Sequence, residues 1–97
     1  MKEQIEAIIM EHFGVNEAQL RSARSDNWNT SDAKKFLWYF LCFVLGYNKH
    51  EIAKEYNTSL RNLSYAISQI CDGIRIQPYF RNHYSQLVRE MKDLNLL

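Results

Sequence analysis

Ten consecutive apolar residues, Phe36 to Leu45, constrain this chain more than any other segment. The run is about half of what a bilayer span needs. Because it is apolar almost all the way round, it predicts a helix buried at the centre of the fold. Thr30 or Ser31 is placed to cap that helix, so its expected span is Asp32 to about Leu45.

The segments on either side read as helices that pack on this one. Ile5, Ile8, Ile9 and Phe13 form one stripe over residues 2–13, and Gly14 stands where a left-handed cap ends such a pattern. Asn16 caps a short second helix, Glu17 to Arg21, anchored by Val15 and Leu20. Residues 22–30 are dense in Ser, Asn and Asp and predict the longest loop, with Trp28 either folding back as a lid on the core or stacking on or wedging into nucleic acid. After Gly46-Tyr47-Asn48, a short helix from Lys49 to Tyr56 turns Ile52, Ala53 and Tyr56 inward. Thr58 or Ser59 then caps a longer helix striped by Leu60, Leu63, Ile67, Ile70 and Ile74, which Gly73 is expected to end or fray. Pro78 fits the first turn of a last helix carrying Tyr79, Phe80, Tyr84, Leu87, Met91 and Leu94. The expected fold class is all-α, with five to six helices in a single domain over residues 1–97.

Composition removes several function classes. The net charge of +1 gives no general affinity for polyanions, so any basic face must come from local placement. Residues 1–48 carry five Lys/Arg against six Asp/Glu, and residues 49–97 carry seven against five. Cys42 and Cys71 lie in apolar segments without metal-site or redox spacing and read as buried reduced thiols, which suits a reducing cytoplasm. His12, His50 and His83 fall on different helices with no paired ligand spacing, so no metal is expected. The three glycines make no phosphate-cradling loop. No enzyme, cofactor or membrane association is expected.

The most informative segment is Glu51-Ile52-Ala53-Lys54-Glu55-Tyr56 followed by Asn57-Thr58-Ser59. Two helices joined by about three polar residues have the spacing of a helix-turn-helix, whose second helix enters the DNA major groove. Arg61, Asn62 and Tyr65 are the candidates to face bases, since Arg pairs bidentately with guanine and Asn with adenine. Thr58, Ser59, Arg24, Lys34, Lys35 and Lys49 are the candidates for phosphate contacts. Glu51 and Glu55 read as a solvated face.

Order and spacing over residues 2–74 resemble the C-terminal DNA-binding domain of the bacterial chromosomal replication initiator DnaA. The resemblance rests on Phe13-Gly14-Val15 with Leu20, on Ala33-Lys34-Lys35-Phe36-Leu37-Trp38-Tyr39-Phe40, on Glu51 to Tyr56, and on Leu63-Ser64-Tyr65-Ala66-Ile67. It implies a Trp-repressor-like helical fold and binding of double-stranded DNA, with residues 75–97 as an additional C-terminal helix. The family signature Arg-Asp-His-Thr-Thr falls on Thr58-Ser59-Leu60-Arg61-Asn62 and matches at none of the five positions. The chain therefore reads as a stand-alone relative of that domain with a different target. The alternative is a protein-interaction module that keeps the fold and binds its partner in an apolar groove between the first and last helices.

Overall fold

The apolar run becomes the spine of a six-helix arrangement in the computed structural model, which describes residues 1–25 and 27–97. Among the described residues there is no strand. Helix α1 (Lys2–Phe13) ends at Gly14, whose φ of 67° is the left-handed conformation that a residue with a Cβ adopts at a cost. Helix α2 (Glu17–Arg21) opens with a reciprocal capping box. The Asn16 side chain accepts from the Gln19 N–H at 2.8 Å, and the Gln19 side chain accepts from the Asn16 N–H at 2.8 Å.

Helix α3 (Trp28–Trp38) starts one turn earlier than the sequence predicts. Asn27, rather than Thr30 or Ser31, is its cap, accepting from the Thr30 N–H at 2.9 Å. The connection after α2 is correspondingly shorter, and Asp26 within it lies outside the described residues. Trp28 is thus the first helical residue instead of a loop residue. It remains 68% exposed, with its ring centroid 6.4 Å from that of Tyr79 in an edge-on arrangement.

Beyond Trp38 the spine continues as a π-helix, Tyr39–Val44. The wider turn is closed by the Leu45 N–H bonding the Phe40 carbonyl at 2.9 Å, and Gly46 at φ 79° reverses the chain. Tyr39 and Phe43 stack at 5.3 Å between ring centroids. The expected all-round burial therefore stops before the end of the run, because Phe43 and Val44 face outward.

Helices α4 (Lys49–Glu55) and α5 (Leu60–Ile76) follow the predicted caps, with Asn48 accepting from the N–H groups of His50 and Glu51 and Ser59 accepting from that of Asn62. Gly73 does not end α5. It is the point at which α6 (Pro78–Asp93) crosses closest, since a Cβ there would sit 2.6 Å from Phe80 Cδ2 and 3.1 Å from Phe80 Cβ. Pro78 occupies the start of α6 as its missing N–H favours. After α6, Asn95 adopts φ 59° and the Leu96 N–H returns to the Met91 carbonyl at 2.8 Å. That turn tucks Leu96 into the core and leaves Leu94, the expected core residue, exposed.

One hydrophobic cluster contains residues from α1 through α6, with Ile5, Ile9, Leu20, Phe36, Phe40, Leu63, Ile70, Leu87 and Met91 fully buried. Leu60 and Tyr79, both expected inward, sit at its margin and are exposed. Among the described residues no helix is long and apolar enough to cross a membrane.

The α5–α6 crossing yields a stability prediction. Gly73→Ala gains about 1 kcal/mol of helix propensity but forces the backbone-proximal atoms of Phe80 away, an overpacking cost of about 1–3 kcal/mol. Urea unfolding is expected to register a net loss of about 1 kcal/mol. Adding Phe80→Leu is expected to recover part of it by removing ring atoms from the contact.

Candidate nucleic-acid interface

The turn between α4 and α5 is shaped by a helix-terminating motif. Asn57 takes φ 55°, the Thr58 N–H bonds the Ala53 carbonyl at 2.9 Å, and the Asn57 N–H reaches the Lys54 carbonyl at 3.4 Å. These bonds satisfy carbonyls that α4 would otherwise leave open. Asn is well suited to the position because its short polar side chain tolerates the left-handed region. Here that side chain also donates to the Arg21 carbonyl at 2.7 Å, tying the turn to the end of α2.

At the start of α5, Arg61, Asn62 and Tyr65 all face solvent, and Tyr65 is 65% exposed. Asn62 and Tyr65 join Thr58, Lys35, Ser31, Ser25 and Ser22 around a cleft of about 290 Å³ floored by Trp38, Tyr56, Ala66 and Gln69. Sequence reasoning missed this floor because its residues come from three segments with no shared spacing. Lys49 is exposed at the start of α4 and Ser59 is exposed at the cap of α5, but neither lines the cleft. Arg24 is exposed and borders a second cleft, about 300 Å³, with Asn16, Gln19, Ser22 and Thr30.

Lys34 is corrected by the structure. It was expected to hold phosphate, yet it is only 5% exposed, and its Nζ donates to the Ser22 carbonyl at 2.6 Å, the Arg24 carbonyl at 2.9 Å and Ser25 Oγ at 3.1 Å. The ammonium replaces the hydration of its three donors with protein oxygens and pins the α2–α3 connection onto α3. Of the adjacent lysines, Lys35 is the one that stays at the surface, half-buried at the cleft.

A second correction concerns Glu55, read from the sequence as a solvated carboxylate. It is half-buried and pairs with Lys2 of α1 and with Arg21 of α2, the latter at 3.1 Å. Arg21 also reaches the buried Glu6 at 2.9 Å and Glu17 at 3.0 Å, and its guanidinium lies 5.1 Å from the Tyr56 ring centroid. Burial, then the neighbouring Glu6 carboxylate, push the Tyr56 hydroxyl well above its ordinary pKa, so it stays protonated. Within this network Glu17 and Arg21 are an i,i+4 pair on α2, and the other partners come from distant helices. The network fixes α4, and through it the start of α5, against α1 and α2.

Elsewhere, burial raises the pKa values of Cys42 and Cys71, with the Asp72 charge adding to the effect at Cys71, so both are free thiols of low reactivity. Cys71 is half-buried, more open than expected. Among the described residues no three His, Cys, Asp or Glu side chains gather as a metal site would need. The groove anticipated between the first and last helices is filled. His12 and His83 meet across it at 2.8 Å, and Leu87 and Met91 of α6 are fully buried.

Removing Arg21 leaves Glu6 buried without its cation. Arg21→Met is expected to cost about 2 kcal/mol, below the range for a fully buried pair because the guanidinium is partly solvated. A double-mutant cycle in urea is expected to return part of that loss when Glu6→Gln is added. No protein-family model matches this sequence, and no curated protein is significantly similar to it.

Proposed function

We propose that the chain binds double-stranded DNA through a helix-turn-helix formed by α4 and α5, in a Trp-repressor-like arrangement. The observation that carries the reading is the outer face of α5. From Leu60 to Cys71 the helix has no carboxylate, and it presents Arg61, Asn62 and Tyr65 to solvent. A helix laid between two rows of phosphates must avoid negative charge on that face, and these side chains bear the donors that base edges and phosphates accept. The resemblance of residues 2–74 to the replication initiator's DNA-binding domain supports the same assignment. The replaced signature at Thr58 to Asn62 points to a target other than the initiator's own box.

In this reading Arg61, Asn62 and Tyr65 face bases, and Lys35, Lys49, Thr58, Ser59 and Arg24 border the phosphates. Lys34 acts indirectly, by holding the connection that carries Arg24. A second reading, docking of a protein partner, is favoured by the exposure of Trp28, Ile76 and Tyr79, which form apolar surface away from the start of α5.

The test is selection from a random duplex library at low and at physiological salt, followed by titration of the enriched sequences. Retention that weakens with salt is expected, because each phosphate contact releases a counterion. Arg61→Ala is expected to weaken specific binding by about 1–3 kcal/mol and relax preference at one position. Lys35→Ala is expected to weaken all sequences alike and lower the salt slope by about one. Absence of salt-dependent retention at low salt would overturn the DNA reading.

A further inference from the structure

The C-terminal helix is fastened to the N-terminal one by two histidines. His12 Nε2 of α1 and His83 Nδ1 of α6 lie 2.8 Å apart, a hydrogen-bonding distance with one proton between two nitrogens. Such a bond requires that one of the facing nitrogens be bare, which the neutral pair and the singly protonated pair both satisfy. The doubly protonated pair cannot, since both facing nitrogens then carry hydrogen and both rings are cationic. The rings are half-buried, so water screens that repulsion poorly. The His83 ring centroid lies 5.1 Å from that of Phe13, 6.0 Å from Phe36 and 4.7 Å from Tyr79, and the His12 and Phe13 rings meet edge-on with centroids 4.8 Å apart.

We propose that the His12–His83 pair is a proton-operated latch, in which uptake of the second proton parts the two rings and releases α6 from α1. The ionisable groups around it come from two helices besides α1. On α6, the Glu90 charge favours protonation of His12, and Tyr79 packs on His83. On α3, Asp32 accepts from the Tyr79 hydroxyl at 2.6 Å. Against α5, α6 sets Phe80 on Gly73 and turns the Arg81 guanidinium to the Ile74 carbonyl at 3.2 Å and the Arg75 carbonyl at 3.0 Å, so that this cation is occupied by α5 carbonyls. Burial, then the charge of His83, hold the His12 pKa below the ordinary histidine value, outweighing Glu90. The neutral form is therefore favoured in the folded state. Stability is fully present above about pH 6.5 and declines as pH falls from there toward the lowered folded value. Release uncovers Leu87 and Met91, which are fully buried while the latch is closed.

Hydrogen exchange of the full chain at about pH 8, 6.5 and 5, corrected for intrinsic rates, tests the latch inside a window where carboxylates stay mostly ionised. The expected result is a loss of protection of about tenfold between the extremes, confined to α6 and the facing part of α1, with α4 and the start of α5 unchanged. His12→Gln still bonds the His83 ring but takes no proton, and is expected to abolish the acid-dependent loss. An equal loss in His12→Gln, or no selective loss in the parent chain, overturns the proposal. Proton NMR of the parent chain gives a second readout that needs no variant. Linked two-step titration of the His12–His83 pair supports the latch, and independent titration of the two rings overturns it.

Discussion

Phe36 is the contact on which the remaining helices depend. It is fully buried on α3 and stacks with Phe13 of α1 at 5.7 Å, while Phe80 and His83 of α6 approach it at 6.0 Å each. The first and last helices are therefore positioned by one ring on the middle one. The offset and tilted geometries favour aromatic attraction beyond the area they bury. The π-helical continuation of α3 supplies Phe40, stacked on Tyr84 at 6.0 Å, so α6 is held along two turns of the spine. α5 packs on both the spine and α6, where Leu63, Ile67 and Ile70 meet the shared core and Gly73 lies under Phe80.

The parts of this architecture legible in the sequence were those governed by local rules. Asn16, Asn48 and Ser59 cap the helices they precede, and Gly14 and Pro78 stand where their backbone preferences place them. Errors arose where a distant residue decides. Thr30 and Ser31 are acceptable caps in isolation, but Asn29 donates to the Phe13 carbonyl and draws α3 back by a turn toward α1. Gly73 looks like a helix breaker until the Phe80 ring is placed above it. Leu94 continues the apolar stripe of α6, yet the reversal at Asn95 gives its place to Leu96.

The surface followed the same division. Arg61, Asn62 and Tyr65 are exposed as a helical wheel from Ser59 requires, because the cap fixes the phase of the wheel. Charge was harder to read, since a lysine or arginine in a sequence does not announce whether its partner is water or protein. Lys34 and Lys35 are neighbours that both border the cleft, but a helix turns about 100° per residue, which buries one against the carbonyls of the preceding loop and leaves the other partly open to solvent. Arg21 and Glu55 are thirty-four positions apart and meet only because the fold brings the ends of α2 and α4 together.

The π-helical stretch at Tyr39–Val44 bears on how the chain tolerates changes in length. A bond spanning five residues instead of four closes over one more residue than the bond of an α-helix does. Loss of a single residue inside the stretch returns it to α-geometry with the flanking side chains still in phase. The same loss earlier, between Ala33 and Trp38, rotates every following side chain by about 100° and takes Phe40 off Tyr84. The spine thus has one segment with slack in its count and one with none, and the rigid one carries Phe36.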